Sequence, residues 1–212
     1  MAKYDKKAAI NIIIQAAKAY EEKLKDKHFL IVYQKGQTVQ NVKVGFRDMN
    51  FLHMTGVKTK LSAKQFYSAC LESKLSGKDF EIDNTGNVQR KLSVLPYLAD
   101  LLYNKCMIGE FINSGVYIKA EYFVGNTKAT LSVGFRNGKS VDFPVTLYNE
   151  DVRKLTNPTC RVLAIFRRNY DESSFEEYTY LAKGQDLPKL IIDEEHKEFD
   201  RDLEIIVDNS EI

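Results

Sequence analysis

The segment RDMNFLHMTGVK, residues 47–58, places Arg47, His53, Thr55 and Lys58 within twelve positions. Histidine is scarce in this chain, with only His28, His53 and His196. An imidazole close to two cations and a hydroxyl has the parts for cutting RNA without a metal. That reaction needs a base to take the 2′-hydroxyl proton, an acid to protonate the leaving oxygen, and cations to hold charge on the phosphorane. Histidine side chains suit the proton work, and arginine and lysine the electrostatics. A threonine hydroxyl can donate to a phosphate oxygen. If the segment runs as a strand, alternate side chains share a face and Arg47, His53 and Thr55 align. Asn50 and the Thr55-Gly56 turn leave that alignment open. A plainer reading fits the same residues: a histidine between Leu52 and Met54 can sit in a core with its ring nitrogens bonded to backbone.

Other chemistries find less support. The sequence has no Gly-rich phosphate loop, no Gly-x-Ser-x-Gly elbow and no His-Glu-x-x-His. His28 and His196 look isolated, and no acid cluster in the body suggests a magnesium site, so neither metal nor cofactor is expected. The cysteines, Cys70, Cys106 and Cys160, are odd in number and widely spaced. They predict buried thiols in a reducing cytosol rather than a disulfide framework.

Charge is the most informative feature of the composition. The net charge is +2, but residues 193–212 carry nine acids and two bases, giving −7 and leaving +9 on the rest. A basic body attracts polyanions, nucleic acid first among them, although a lysine-rich soluble surface would look similar. The acidic segment beyond residue 190 reads as an appended tail. It could solubilise the chain, or fold over the basic face and compete with RNA. No stretch approaches the roughly 20 apolar residues that span a bilayer. No small-residue cleavage site follows the N-terminal apolar stretch, so neither a membrane segment nor a signal peptide is expected.

The elements that must position these residues follow from periodicity. Residues 5–25 predict an amphipathic helix, with Ile10, Ile13, Ile14, Ala17, Tyr20 and Leu24 on one face. FLIVY (29–33) and the alternation of Val42, Val44 and Phe46 predict two strands, the second running on through Phe51 and His53. Ser62 with Gln65 forms a capping-box pattern ahead of a helix to about Ser73. Residues 87–106 read as helical, kinked or split at Pro96. From 116 the period becomes two: strands over 116–125 and 129–136, a tight hairpin at Asn137-Gly138, and a return through Val145 with Pro144 implying an edge. A short helix capped by Asn149 precedes strands at 161–166 and 176–184. Together these predict one α+β domain over residues 1–190, N-terminal helices packed on a mainly antiparallel sheet, followed by the tail at 191–212.

NFLHMTG resembles the Asn-Phe-Leu-His-Leu-Thr-Gly signature of the fourth subgroup of a phage-associated family described as barnase–EndoU–colicin–RelE-like nucleases. Met54 stands where that signature has Leu. FYSACLESKLSGKDFEI, KLSVLPYLADL, MIGEF, VGNTKATLSVGF, RVLAIF and YLAKG follow in the family's order, covering residues 5–185. The resemblance implies a barnase/RelE-like nuclease fold, RNA as substrate, and a phage or prophage setting in the cytoplasm of a bacterial host. It carries over His53 and Thr55 from the signature, with Lys91 and Lys183 from KLSVLPYLADL and YLAKG. Arg47 and Arg167 join them on charge and placement. His53 is then the proton carrier, Thr55 and Arg47 contact the scissile phosphate, and Lys58, Lys91, Arg167 and Lys183 bind the RNA backbone. The rival expectation is a non-catalytic phage protein that binds RNA or a host defence factor. A protein inhibitor or target is a conceivable partner in either case.

Overall fold

The long first helix, α1 (Lys6–Lys23), is capped by Asp5, whose side chain accepts from the Ala8 N–H at 2.7 Å. Its buried stripe (Ala9, Ile13, Ala17, Tyr20) follows the expected face. Two antiparallel strands come next, β1 (Lys27–Lys35) and β2 (Thr38–Gly45). The computed structural model describes residues 4–83, 85–112, 119–128, 130–175 and 177–185. The acidic tail and the boundary at residue 190 therefore lie outside the described residues.

After β2 the chain does not continue as a strand. It turns into a helix, α2 (Asp48–Thr55), which corrects the extended reading of Phe51 and His53. The burial pattern explains why: Phe51, Met54 and Thr55 point inward, whereas Met49 and His53, four positions apart, point outward. The Asn50 side chain accepts from the Arg47 N–H at 2.9 Å at the start of α2. Gly56, at φ +72°, ends it in the left-handed conformation.

The remaining helices pack beside it. The Ser62–Gln65 capping box forms at the start of α3 (Ala63–Leu71), with reciprocal bonds of 3.2 and 3.0 Å. The helical stretch near Pro96 splits, into α4 (Asn87–Val94) and a tighter 3-10 segment over Leu95–Tyr103. Tyr20 stands where these layers meet. Its ring packs edge-on against Phe46, Phe51 and Tyr67, and its hydroxyl donates to the Arg47 carbonyl at 2.9 Å.

The two short strands β3 (Lys58–Thr59) and β4 (Phe80–Glu81) pair with each other. The main sheet adds β5 (Met107–Phe111), β6 (Tyr122–Asn126), β7 (Leu131–Arg136), β8 (Phe143–Asn149), β9 (Thr156–Asn169) and β10 (Glu177–Leu181). Its order is β2-β1-β9-β5-β6-β7-β8, antiparallel between neighbours. β10 pairs with β9 beyond the point where β5 ends. β8 is the terminal strand of that order, as Pro144 implied. A four-residue helix, α5 (Val152–Leu155), is capped by Asp151 rather than by Asn149.

The sheet's two ends come together. The Gly45 N–H donates to the Asp142 carbonyl, and the Asp142 N–H donates to the Lys43 carbonyl, each at 2.8 Å. Asn137-Gly138 consequently does not form a two-residue hairpin. Residues 137–142 make a longer loop, because Asp142 is drawn away to meet β2 and to accept from the Tyr122 hydroxyl at 2.8 Å. The apolar core lies between this curled sheet and the helices, and the three cysteines are buried free thiols. Burial pushes Cys70 and Cys106 up to about 12. No helix among the described residues is long and apolar enough to cross a membrane.

Candidate active site

A cleft of about 800 Å³ opens along the seam where β2 meets the residues before β8. One wall is α2, contributing Met49, Asn50 and His53, with Arg47 at its start. The loop of Gly138–Asp142 and the first residues of β8 also line it. His28, Gly45 and Tyr170 line it as well. The Asn50 amide donates to the Pro144 carbonyl at 3.4 Å and ties α2 to β8.

His53 is exposed on the outer face of α2 and lines this cleft. The expectation of an accessible imidazole beside Arg47 therefore matches the geometry. The reading of a sealed core histidine does not. Among the described residues no hydrogen bond or ion pair occupies its ring, so the imidazole can turn toward a ligand. Arg47 is also exposed, and its guanidinium lies 5.9 Å from the centre of the Tyr170 ring.

The sequence left His28 isolated, yet the fold brings it into the same cleft. Register does this: on β1, His28 pairs with Gly45 of β2 and with Arg168 of β9. Its ring packs on Tyr170 with centroids 4.2 Å apart. Gly45 makes the approach possible, since a Cβ there would lie 2.9 Å from Val141 Cγ1, 3.0 Å from His28 Cδ2 and 3.2 Å from the Tyr170 hydroxyl. Burial, then the charges of Arg168, Arg47 and Lys43, lower His28 from 6.5 to about 4, so its ring is neutral at pH 7. Its Nδ1 is buried with no partner among the described residues. The sequence signal that could have found this position is Gly45, a glycine at a strand end two residues before Arg47.

Lys139 and Ser140 complete the polar lining and are exposed. The carboxylate that lines the cleft, Asp142, already accepts from the Tyr122 hydroxyl and from the Gly138 N–H at 2.9 Å. Among the described residues no three His, Cys, Asp or Glu side chains converge to hold a metal ion.

The other expected site residues lie apart from the cleft. Thr55 is 0% exposed, and its hydroxyl donates to the Leu52 carbonyl at 2.8 Å and accepts from the Val57 N–H at 3.3 Å. It faces the core side of α2 and secures the helix end, which corrects its expected contact with phosphate. Lys91 is 8% exposed and donates to the His53 carbonyl at 2.8 Å. Burial brings its ammonium down to about 8. It is buried against the end of α2 and does not line the cleft, away from the expected RNA-binding position. Arg167 is taken up by an ion pair with Glu177 and a 3.4 Å bond to the Tyr103 hydroxyl. Lys58 and Lys183 are exposed, on β3 and on the turn after β10, and neither lines the cleft.

No curated protein and no solved structure matches the chain. One family model does, over residues 12–184: phage-Barnase-EndoU-ColicinE5/D-RelE like nuclease4. That span runs from α1 to the turn beyond β10 and contains every described residue lining the cleft. The chain thus belongs to this family of phage-associated nucleases, with a mixed α+β fold of the kind the family implies.

Proposed function

We propose that this nuclease cuts RNA at the α2 cleft by internal attack of the 2′-hydroxyl, without a metal ion. The observation that carries the reading is the meeting of two imidazoles, His28 and His53, and the Arg47 guanidinium in one cleft. The 2′-oxygen forms a bond to phosphorus while the bond from phosphorus to the 5′-oxygen breaks. One imidazole accepts the 2′-hydroxyl proton, and the other group delivers a proton to the departing 5′-oxygen. The products are a 2′,3′-cyclic phosphate and a free 5′-hydroxyl. Burial and the neighbouring cations keep His28 neutral at pH 7, so its ring begins in the state that accepts a proton. Arg47 and Lys139 offset the charge that builds on the non-bridging oxygens. A metal-free route is supported by the lining itself, which offers imidazoles and cations while its Asp142 carboxylate is already engaged by the Tyr122 hydroxyl and the Gly138 N–H.

The test is incubation of the purified chain with total bacterial RNA in chelator. Fragments ending in cyclic phosphate are expected. His53→Ala should slow their formation by roughly a hundredfold or more, with the thermal midpoint little changed because the ring is exposed. Equal cleavage by that variant would remove His53 from the mechanism. Binding without fragments would favour a protein that holds RNA and does not cut it.

A further inference from the structure

Single exposed apolar side chains are ordinary on a protein surface, but apolar side chains that share one cleft mark a surface for binding. Among the described residues five large apolar side chains are exposed, and two of them, Met49 (56%) and Phe143 (37%), line the α2 cleft. Met49 projects from the first turn of α2, one turn before His53. Phe143 opens β8, directly after Asp142 at the seam. Asn50 and Pro144, the residues that follow them, are hydrogen-bonded, which holds the two positions near each other at the cleft. The cations Arg47 and Lys139 and the two imidazoles line the same cleft.

We infer that Met49 and Phe143 form a seat for one unpaired nucleobase, which makes the substrate single-stranded RNA. This rests on the reading of the cleft as an RNA site. Charge favours that occupant over an apolar protein segment, because the groove that holds the two apolar side chains also holds Arg47 and Lys139. A base presents a flat π-face to Phe143 while its own phosphate remains within the cationic part of the cleft. Within a duplex the bases are stacked and paired, so neither side chain can reach such a face. The thioether of Met49 adds a polarizable, adaptable contact that accepts either purine or pyrimidine. The seat therefore selects strand state more than base identity.

The test uses the full chain and a short 2′-O-methyl RNA, which lacks the attacking hydroxyl and so reports binding alone. Phe143→Ala should weaken binding of the single strand roughly five- to hundredfold, the range for losing one base–aromatic stack. Met49→Ala should weaken it less. The slope of log affinity against log salt should stay unchanged, because the phosphate contacts remain. A 2-aminopurine placed in the strand should be quenched on binding to the parent chain and not to Phe143→Ala. The parent should bind a duplex of the same sequence more weakly, with no response to either substitution. Single-strand affinity unmoved by both substitutions, or a duplex bound as tightly as the single strand, would overturn the seat. A chain that holds the single strand through Phe143 but leaves natural RNA whole would keep this inference and refute the proposed cleavage.

Discussion

Lys91→Met separates a residue that supports the site from one that touches RNA. The substitution keeps the apolar stem and removes the ammonium, whose Nζ lies 2.8 Å from the His53 carbonyl. Two opposing energies are involved. The lost bond from a charged donor costs about 1.5–3 kcal/mol, and a cation near a helix C-terminus adds roughly 0.3–1 kcal/mol. Against this, Lys91 falls from 10.5 to about 8 through burial. That difference means roughly 3 kcal/mol spent on keeping the charge out of water. The net change in stability at pH 7 should therefore be small, on the order of 1–2 kcal/mol.

The pH dependence isolates the residue. Between pH 8 and 10.5 the unfolded chain holds the Lys91 proton and the folded chain releases it, so folding gains stability as pH rises. The wild type should gain on Lys91→Met across that window by up to about 3 kcal/mol. Denaturant melts of both proteins at pH 7.5, 9 and 10.5 measure it, and a constant difference would refute the buried titration. In the cleavage assay the variant should be slower by roughly ten- to hundredfold, because the last turn of α2 carries His53. KM and the salt dependence of binding should hold. A salt slope reduced by about one would mean that Lys91 meets a phosphate after all.

Three further outcomes are expected. Gly45→Ala drives a methyl into His28 and the Val141 side chain, so cleavage should collapse more than the thermal midpoint does; full activity would show that this close packing is dispensable. Thr55→Val removes a buried hydroxyl that serves Leu52 and Val57, costing about 1–2 kcal/mol, while RNA affinity per folded molecule stays unchanged; weaker affinity would return Thr55 to the phosphate. His28 binds its proton in the unfolded chain near pH 6.5 and in the folded chain only near 4, so its contribution is complete above pH 6.5 and is lost as pH falls toward 4. For this half-buried ring, screening limits the loss to on the order of 1–2 kcal/mol, and a His28→Phe variant should lack that component of the acid transition in melts from pH 7 to 4.

Much of the architecture could be read along the chain. The stripe of α1, the Ser62–Gln65 box, the break at Pro96 and the alternating strands depend on residues within a turn or two of each other. Their periodicity records a local choice between two backbone geometries. His53 and Arg47 could be nominated in the same way, because their chemistry travels with the residue type. The run Phe51–Thr55 was too short for its period to distinguish helix from strand, and the inward turn of Phe51, Met54 and Thr55 depends on the core they meet.

Side-chain duties were decided at longer range. Lys91 and Thr55 carry the right groups for RNA but are consumed by the end of α2, and Arg167 by Glu177. His28 joins His53 because pairing register sets it against Gly45, Tyr170 packs on it, and the sheet closes through Asp142. Local sequence sets which conformations a segment prefers. Burial and closure between distant segments set which polar groups are used up by the fold and which remain free to meet a substrate.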